Sequence, residues 1–368
     1  MRRFPIRLPF LLAATLSILA ACSAPPAKTA LAGSQGRLLV IGGALSKQND
    51  DVYRRLLELA TTPAGVRLVI ATAASGDEKG AAESLQKNVQ NRAASAQVAV
   101  ISRDTPTDAT VAAIDGANAM FFTGGDQKRI TDRYRPADAN TPEWDAMKRL
   151  LARGGVIAGN SAGDAMMGDV MFFTGRSAQA LGIPRQDLDP EDELANRVGP
   201  QIGSGMRFVS WVLTDSHFWE RDRVGRLVAA LEQSKIALGI GVGENACVEL
   251  DLATGACVGI SDNPSLLVDC RSLVRDGAAR RNCRALVVGN GDRVDPVAWS
   301  ASLSKPSVRP ASEPQAIAIG DDDKLATQRL FENALASSSG AFRLRLDGWS
   351  VVAWRDGDVV TFDVEVGG

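Results

Sequence analysis

The chain carries a single histidine, His217, among 368 residues. Any general acid–base chemistry run by an imidazole must therefore fall to that side chain. Its sequence partners are few. Ser161 lies in Gly159-Asn160-Ser161-Ala162-Gly163, a G-x-S-x-G pattern, and His217 lies in Asp215-Ser216-His217-Phe218. A serine hydroxyl is a weak nucleophile until a base takes its proton. In a nucleophile elbow the serine sits between a strand and a helix, where glycines allow a sharp turn. The apolar run Val156–Ala158 precedes the pattern, and Ala162–Met167 can begin a helix. A third member could be Asp215, two positions before the histidine, or Glu244, at the end of the glycine-rich run Ala237–Gly243. An α/β-hydrolase orders its triad serine, acid, histidine. Glu244 follows the histidine, so a triad built on it belongs to another fold. Arg221, Arg223 and Arg226 follow His217 at spacings that allow either a solvated helix face or a carboxylate-binding cluster.

The elements that must hold these residues read as alternating strands and helices. Short apolar runs at Arg37–Ile41, Val66–Ala71, Gln97–Ile101, Ala117–Phe122 and Val156–Gly159 alternate with helical stretches near Asp50–Thr61, Ala81–Arg92 and Thr141–Arg153. This implies βαβ units and a parallel sheet covered on both faces. Ligands of such sheets bind beyond the carboxyl ends of the strands. Gly42-Gly43, Gly124-Gly125 and Ser161 should therefore converge on one side. Residues Gly168–Gly205 look like a loop-rich insertion at that rim. The tail from Phe342 to Val366 alternates as strands around Asp356-Gly357-Asp358.

The start of the chain reads as a processing signal. Arg2, Arg3 and Arg7 precede an apolar stretch, Leu8–Ala20, too short to span a bilayer, and Leu19-Ala20-Ala21-Cys22 has the form of a lipobox. The expectation is a signal peptide over residues 1–21, lipidation of Cys22, and a flexible tether over 22–35. An exported, membrane-anchored lipoprotein follows, periplasmic or cell-surface. The remaining residues divide into an α/β domain, 36–260, and a β-rich C-terminal extension, 261–368, packed on it. Net charge is −2 with no dense basic cluster, which argues against nucleic acid as a partner. Nothing calls for a cofactor. A homodimer is left open. Besides Cys22 there are Cys247, Cys257, Cys270 and Cys283. In an exported chain four thiols favour disulfides. Cys247 with Cys257 across an Asp251–Gly255 turn, and Cys270 with Cys283, is the simplest pairing. A zinc site lacks its usual close cysteine pairs.

Four motifs together resemble the cyanophycinase family of serine peptidases. They are Phe121-Phe122-Thr123-Gly124-Gly125-Asp126-Gln127, Gly159–Gly163, Asp215-Ser216-His217-Phe218 with Arg221, Arg223 and Arg226, and Gly243-Glu244-Asn245-Ala246. They occur in the family's order. The resemblance implies a flavodoxin-like, three-layer fold of the class I glutamine amidotransferase type. It implies Ser161 as nucleophile, His217 as base and Glu244 as the acid orienting it. Oxyanion donors would be the amides of Gly125 and Ala162, and Gln127, Asp215 and the three arginines would line the substrate site. The implied substrate is cyanophycin, a poly-aspartate carrying arginine on each side chain, or a related aspartyl peptide. Asn160, Asp164, Ser216 and Gly243 depart from the family pattern near that site. The alternative is an inactive binding lipoprotein of the same fold. An amidotransferase would need a cysteine at position 161.

Overall fold

The computed structural model describes residues 34–184, 197–303, 307–319 and 325–367. Cys22 and the expected signal segment lie outside them. The first half alternates as its periodicity predicts: β1 (Arg37–Ile41), α1 (Asp50–Ala60), β2 (Arg67–Ala71), α2 (Glu78–Arg92), β3 (Gln97–Ile101), α3 (Thr107–Gly116), β4 (Ala119–Phe122), α4 (Gln127–Tyr134), α5 (Pro142–Ala152), β5 (Val156–Asn160) and the short α6 (Ala162–Ala165). Helix starts follow local chemistry. The Asn49 side chain accepts from the Val52 amide ahead of α1. Thr141 caps α5, whose first residue is Pro142.

Strands β1, β5, β4, β2 and β3 lie side by side in that order, all parallel. Leu38, Leu39, Val40 and Ile41 are all buried because helices cover both faces. On one face α1 and α2 supply Val52, Leu56 and Val89; on the other α3 and α5 supply Ile114, Met147 and Leu150. The expected three-layer α/β arrangement is present.

The second half continues with β6 (Val170–Phe172), α7 (Ser177–Ala180), β7 (Ile202–Ser204), β8 (Val212–Asp215), α8 (Val224–Ser234), β9 (Leu238–Val242), β10 (Cys247–Asp251), β11 (Cys257–Gly259), β12 (Ser265–Asp269), β13 (Val274–Asp276), β14 (Ala279–Val288), β15 (Arg293–Val294), α9 (Pro296–Ser302), β16 (Gln315–Ala316), α10 (Ala326–Ala336), β17 (Ala341–Leu346), β18 (Trp349–Asp356) and β19 (Val359–Val366). Strands β10, β11 and β15 extend the first sheet beyond β1, antiparallel. Strands β8 and β9 leave that sheet. They open a second one, which runs β8-β9-β12-β14-β19-β18-β17-β16. The C-terminal strands thus complete a sheet begun by the strands that lead to His217 and Glu244. The glycines of β9 explain the tight packing there: a Cβ at Gly241 would stand 2.4 Å from the Phe218 ring.

One expected pairing is overturned. Cys247 and Cys257 are both buried free thiols. Leu250 is the residue opposite Cys257. Cys247 instead packs with Leu39 and Ile41 on one face of the sheet, and Cys257 with Val248 and Leu250 on the other. Strand alternation aims the two sulfurs apart. Cys270 and Cys283 are neighbours, with Sγ atoms 3.5 Å apart and unbonded.

Candidate active site

Ser161 sits between β5 and α6 with φ 56° and ψ −102°, a strained conformation for a residue with a side chain. Hydrogen bonds hold it there. Its amide donates to the Ile41 carbonyl at 2.9 Å, and its own carbonyl accepts from the amides of Asp164 and Ala165, each at 3.0 Å. The turn also needs the glycine two residues earlier, since a Cβ on Gly159 would lie 2.1 Å from the Gly163 carbonyl oxygen. This is the geometry of a nucleophile elbow.

His217 follows β8, also at positive φ (45°). Its amide donates to the Gly42 carbonyl at 2.6 Å. Its ring lies flat against Gly43, where a Cβ would come 2.3 Å from Cε1 and 2.5 Å from Nε2. The next carbonyl, that of Gly43, accepts from the Asn245 amide at 2.8 Å and so fixes the segment carrying Glu244. The Ser161 Oγ is 2.7 Å from His217 Nε2, and Nδ1 is 2.7 Å from Glu244 Oε1. An ionised carboxylate only accepts, so Nδ1 carries the proton and Nε2 presents its lone pair to the serine hydroxyl. Burial holds the imidazole below its ordinary pKa. The hydrogen bond to Glu244 opposes that shift, and Arg221 and Arg223 add to it. The neutral, proton-accepting ring is therefore the resting form at neutral pH.

The loop bearing Gly124 and Gly125 abuts the serine: a Cβ on Gly124 would be 3.3 Å from Ser161 Cβ. Ala162 is the first residue of α6, where a backbone N–H has no acceptor in its own helix. The Ala162 amide can therefore donate to an anion beside the serine, and Gly125 lines the same cavity. Gln127 lines the cavity, as expected, but its amide nitrogen is committed to the backbone. Its Nε2 donates to the carbonyls of Phe172 at 2.6 Å and Phe173 at 2.8 Å, which braces the wall after β6.

The arginines divide. Arg226 is 4% exposed and bonds Asp215 through Nε at 2.7 Å and through its second nitrogen, with a further bond to the Gly175 carbonyl at 2.7 Å. Arg223 bonds Asp215 at 3.2 Å and the Ser216 carbonyl. Burial lowers its pKa to about 10, which leaves it charged. Arg221 is exposed and has no hydrogen bond or ion pair among the described residues. The expectation for Asp215 is corrected. Its side chain is 0% exposed and is spent on the two arginines behind the wall, so it contacts no substrate.

Ser161, His217, Gly125, Gln127 and the three arginines line a cavity of about 770 Å³. Sequence reasoning placed Gly168–Gly205 at this rim but missed the contribution of the C-terminal strands. Residues Phe173–Gln179 form one side, and Leu346, Asp347 and Trp349 arrive from the β17–β18 hairpin. An Asp-Gly pair between alternating runs is a hairpin signal that could have found the latter. Asp164, beside the nucleophile in sequence, is fully buried and takes no part in the cavity wall; burial first, and the neighbouring Asp215 second, push its carboxyl well up. Among the described residues no group of three or more His, Cys, Asp or Glu could hold a metal ion. No helix there is long and apolar enough to cross a membrane.

No family model matches the chain. It is similar to the cyanophycinase of Geminocystis herdmanii (strain PCC 6308), 29% identical over 189 residues, 49% of this chain and 63% of that protein. It is 32% identical to the cyanophycinase of Trichormus variabilis over 138 residues, 37% of this chain and 40% of that protein. The matches thus span about two fifths to just under two thirds of these relatives. Among solved structures, a peptidase from an acI-B1 Actinobacterium aligns with TM-score 0.44 and 18% identity, covering 71% of this chain and 97% of that one. A putative peptidase E from Listeria monocytogenes EGD-e aligns at 0.40 and 13%, covering 58% and 94%.

Proposed function

We propose, from the premise that the chain is a sequence relative of the cyanophycinases, that it is an exported serine peptidase of that type, hydrolysing cyanophycin or related aspartyl and β-aspartyl peptides. The observation that carries this reading is the unbroken Ser161–His217–Glu244 chain of hydrogen bonds, 2.7 Å at each step, whose serine and histidine line a cavity of about 770 Å³.

The chemistry follows from the geometry. His217 Nε2 takes the Ser161 proton as Oγ attacks the substrate carbonyl. Glu244 holds Nδ1–H and balances the imidazolium that forms. The amides of Gly125 and Ala162 receive the developing oxyanion; one such donor is typically worth about 10²–10³ in rate. The imidazolium then protonates the departing amine, and water, activated by the same ring, releases the acyl-enzyme. Arg221, at the cavity wall and without an ion pair among the described residues, suits a substrate carboxylate. The same intact triad speaks against a binding module that has lost its chemistry, for which a serine in a strained turn aligned on the imidazole has no use.

The test is incubation with cyanophycin, comparing wild type with Ser161→Ala, alongside labelling by a fluorophosphonate. Release of β-Asp-Arg and labelling by wild type only are expected. Activity that survives Ser161→Ala overturns the mechanism. Cleavage of aspartyl or isoaspartyl dipeptides without cleavage of cyanophycin keeps the mechanism and changes the substrate. Export and anchoring through Cys22 predict that Cys22→Ala moves the protein from the membrane fraction to the soluble one.

A further inference from the structure

The cavity of the proposed peptidase is lined by charges of both signs. Arg221 and Arg176 line it from the segments around His217 and after β6, and Asp347 lines it from the turn between β17 and β18. All three are exposed, and none has a hydrogen bond or ion pair among the described residues. Among the described residues, each presents its charge to the cavity without a partner.

The hairpin is held in place. Leu346 pairs with Trp349 across the turn. Trp349, 5% exposed, belongs to the core cluster that includes Val224 and Leu227 of α8. It approaches that helix at Gly225, where a Cβ would lie 3.1 Å from the indole. Gly348 takes the positive φ of the turn, 72°, while Asp347 does not. The turn therefore needs glycine at 348 but does not itself require aspartate at 347. The carboxylate there lines the cavity that also contains the nucleophile and makes no hydrogen bond or ion pair among the described residues.

We propose that Asp347 is a specificity residue: it pairs with a cationic side chain of the substrate while Arg221 and Arg176 take a carboxylate, so that the cavity selects dipolar peptides with a basic group. This rests on the serine-peptidase reading and assigns the C-terminal strands a direct part in it. Charges of both signs line the one cavity, which favours a ligand bearing both signs over a simple polyanion. An exposed pair contributes little in water, about fivefold in affinity at most. The expected discrimination is correspondingly modest, roughly fivefold.

The test measures binding rather than turnover. Ser161→Ala protein is titrated calorimetrically with β-Asp-Arg and with β-Asp-citrulline, which has nearly the same shape and no charge. The arginine form should bind about fivefold more tightly. Asp347→Asn should bring the two affinities together, and Asp347→Lys should reverse their order. Equal affinity of the two ligands for the parent protein, absence of binding by either, or an unchanged ratio in Asp347→Lys overturns the proposal. Circular dichroism checks that both variants keep the fold. Failure of the peptidase reading is seen separately, as absence of fluorophosphonate labelling at Ser161 in the wild type.

Discussion

Replacing Asp215 by alanine removes a carboxylate shared by two arginines. Arg226 loses the Nε contact at 2.7 Å and that of its second nitrogen, and Arg223 loses the contact at 3.2 Å. Asp215 is 0% exposed, and the arginine side chains are 4% and 12% exposed, so water cannot step in freely. Breaking a buried pair by deleting one partner costs about 3–5 kcal/mol. Two features draw the value toward the lower end. Both guanidiniums keep a backbone acceptor, the carbonyls of Gly175 and Ser216. Asp164, whose carboxyl Asp215 helps push up, becomes easier to ionise beside the same arginines once Asp215 is gone. The expected loss is about 3 kcal/mol for Asp215→Ala, and less for the isosteric Asp215→Asn. Urea unfolding followed by tryptophan fluorescence measures it, with Trp219 close by in the chain. The opposite result is equally definite. A change under about 1 kcal/mol together with a collapse of kcat/KM would return Asp215 to the substrate site and refute the burial argument.

Three further outcomes are expected. With one histidine, a single imidazole Cε1–H signal reports the base directly; its midpoint, and the acid limb of kcat/KM, should fall below the ordinary value of about 6.5. Because the folded value is depressed, the folded chain binds fewer protons than the unfolded one, so this group's contribution to stability is present above the unfolded value and lost as pH falls through the folded one; a midpoint above 6.5 contradicts the assignment. Gly43→Ala should lower kcat by about 10²-fold or more while the chain stays folded, because its Cβ would sit 2.3 Å from His217 Cε1 and displace the ring from Ser161; near-wild-type turnover counts against the ring position. Under oxidation Cys270 and Cys283 should form a disulfide that alkylation and mass spectrometry detect, while Cys247 and Cys257 remain thiols; a bond involving either of the latter contradicts the register.

The reach of the sequence differs from residue to residue for physical reasons. Ser161, His217 and Glu244 could be read because each sits at a strand end inside a local pattern. Asp215 was misassigned because nothing local says which way a side chain at a strand end will point once the second sheet forms. The cysteines show the same limit within one protein. The turn Asp251–Gly255 does join antiparallel strands, yet the register of Leu250 against Cys257 puts Cys247 on the other face. In a sheet an odd offset sends a side chain to the opposite side. Cys270 and Cys283 lie one position beyond the Asp269–Arg284 pair, so they face each other. The Asp347-Gly348 pair marks a hairpin in the sequence, but that the hairpin meets the site is out of reach, because it does so only through the order of strands in a sheet assembled from distant parts of the chain.

The strand end Ile41-Gly42-Gly43 explains why two sheets can make one site. Three consecutive carbonyls there hold the three parts of the triad: Ile41 accepts from Ser161, Gly42 from His217, and Gly43 from Asn245, next to Glu244. Ser161 belongs to the first sheet, whereas His217 and Glu244 follow β8 and β9 of the second. Without that short backbone ruler, the relative position of nucleophile and base would depend on packing between sheets, where shifts of a few tenths of an ångström are ordinary. With it, each segment is fixed to the same rigid strand by a hydrogen bond of 2.6–2.9 Å. The absence of side chains at 42 and 43 is what allows so close an approach: a Cβ on Gly42 would lie 2.1 Å from the Gly243 carbonyl, and one on Gly43 would enter the imidazole. The glycine pair at the first strand's end is therefore as much a part of the catalytic geometry as the three side chains it aligns.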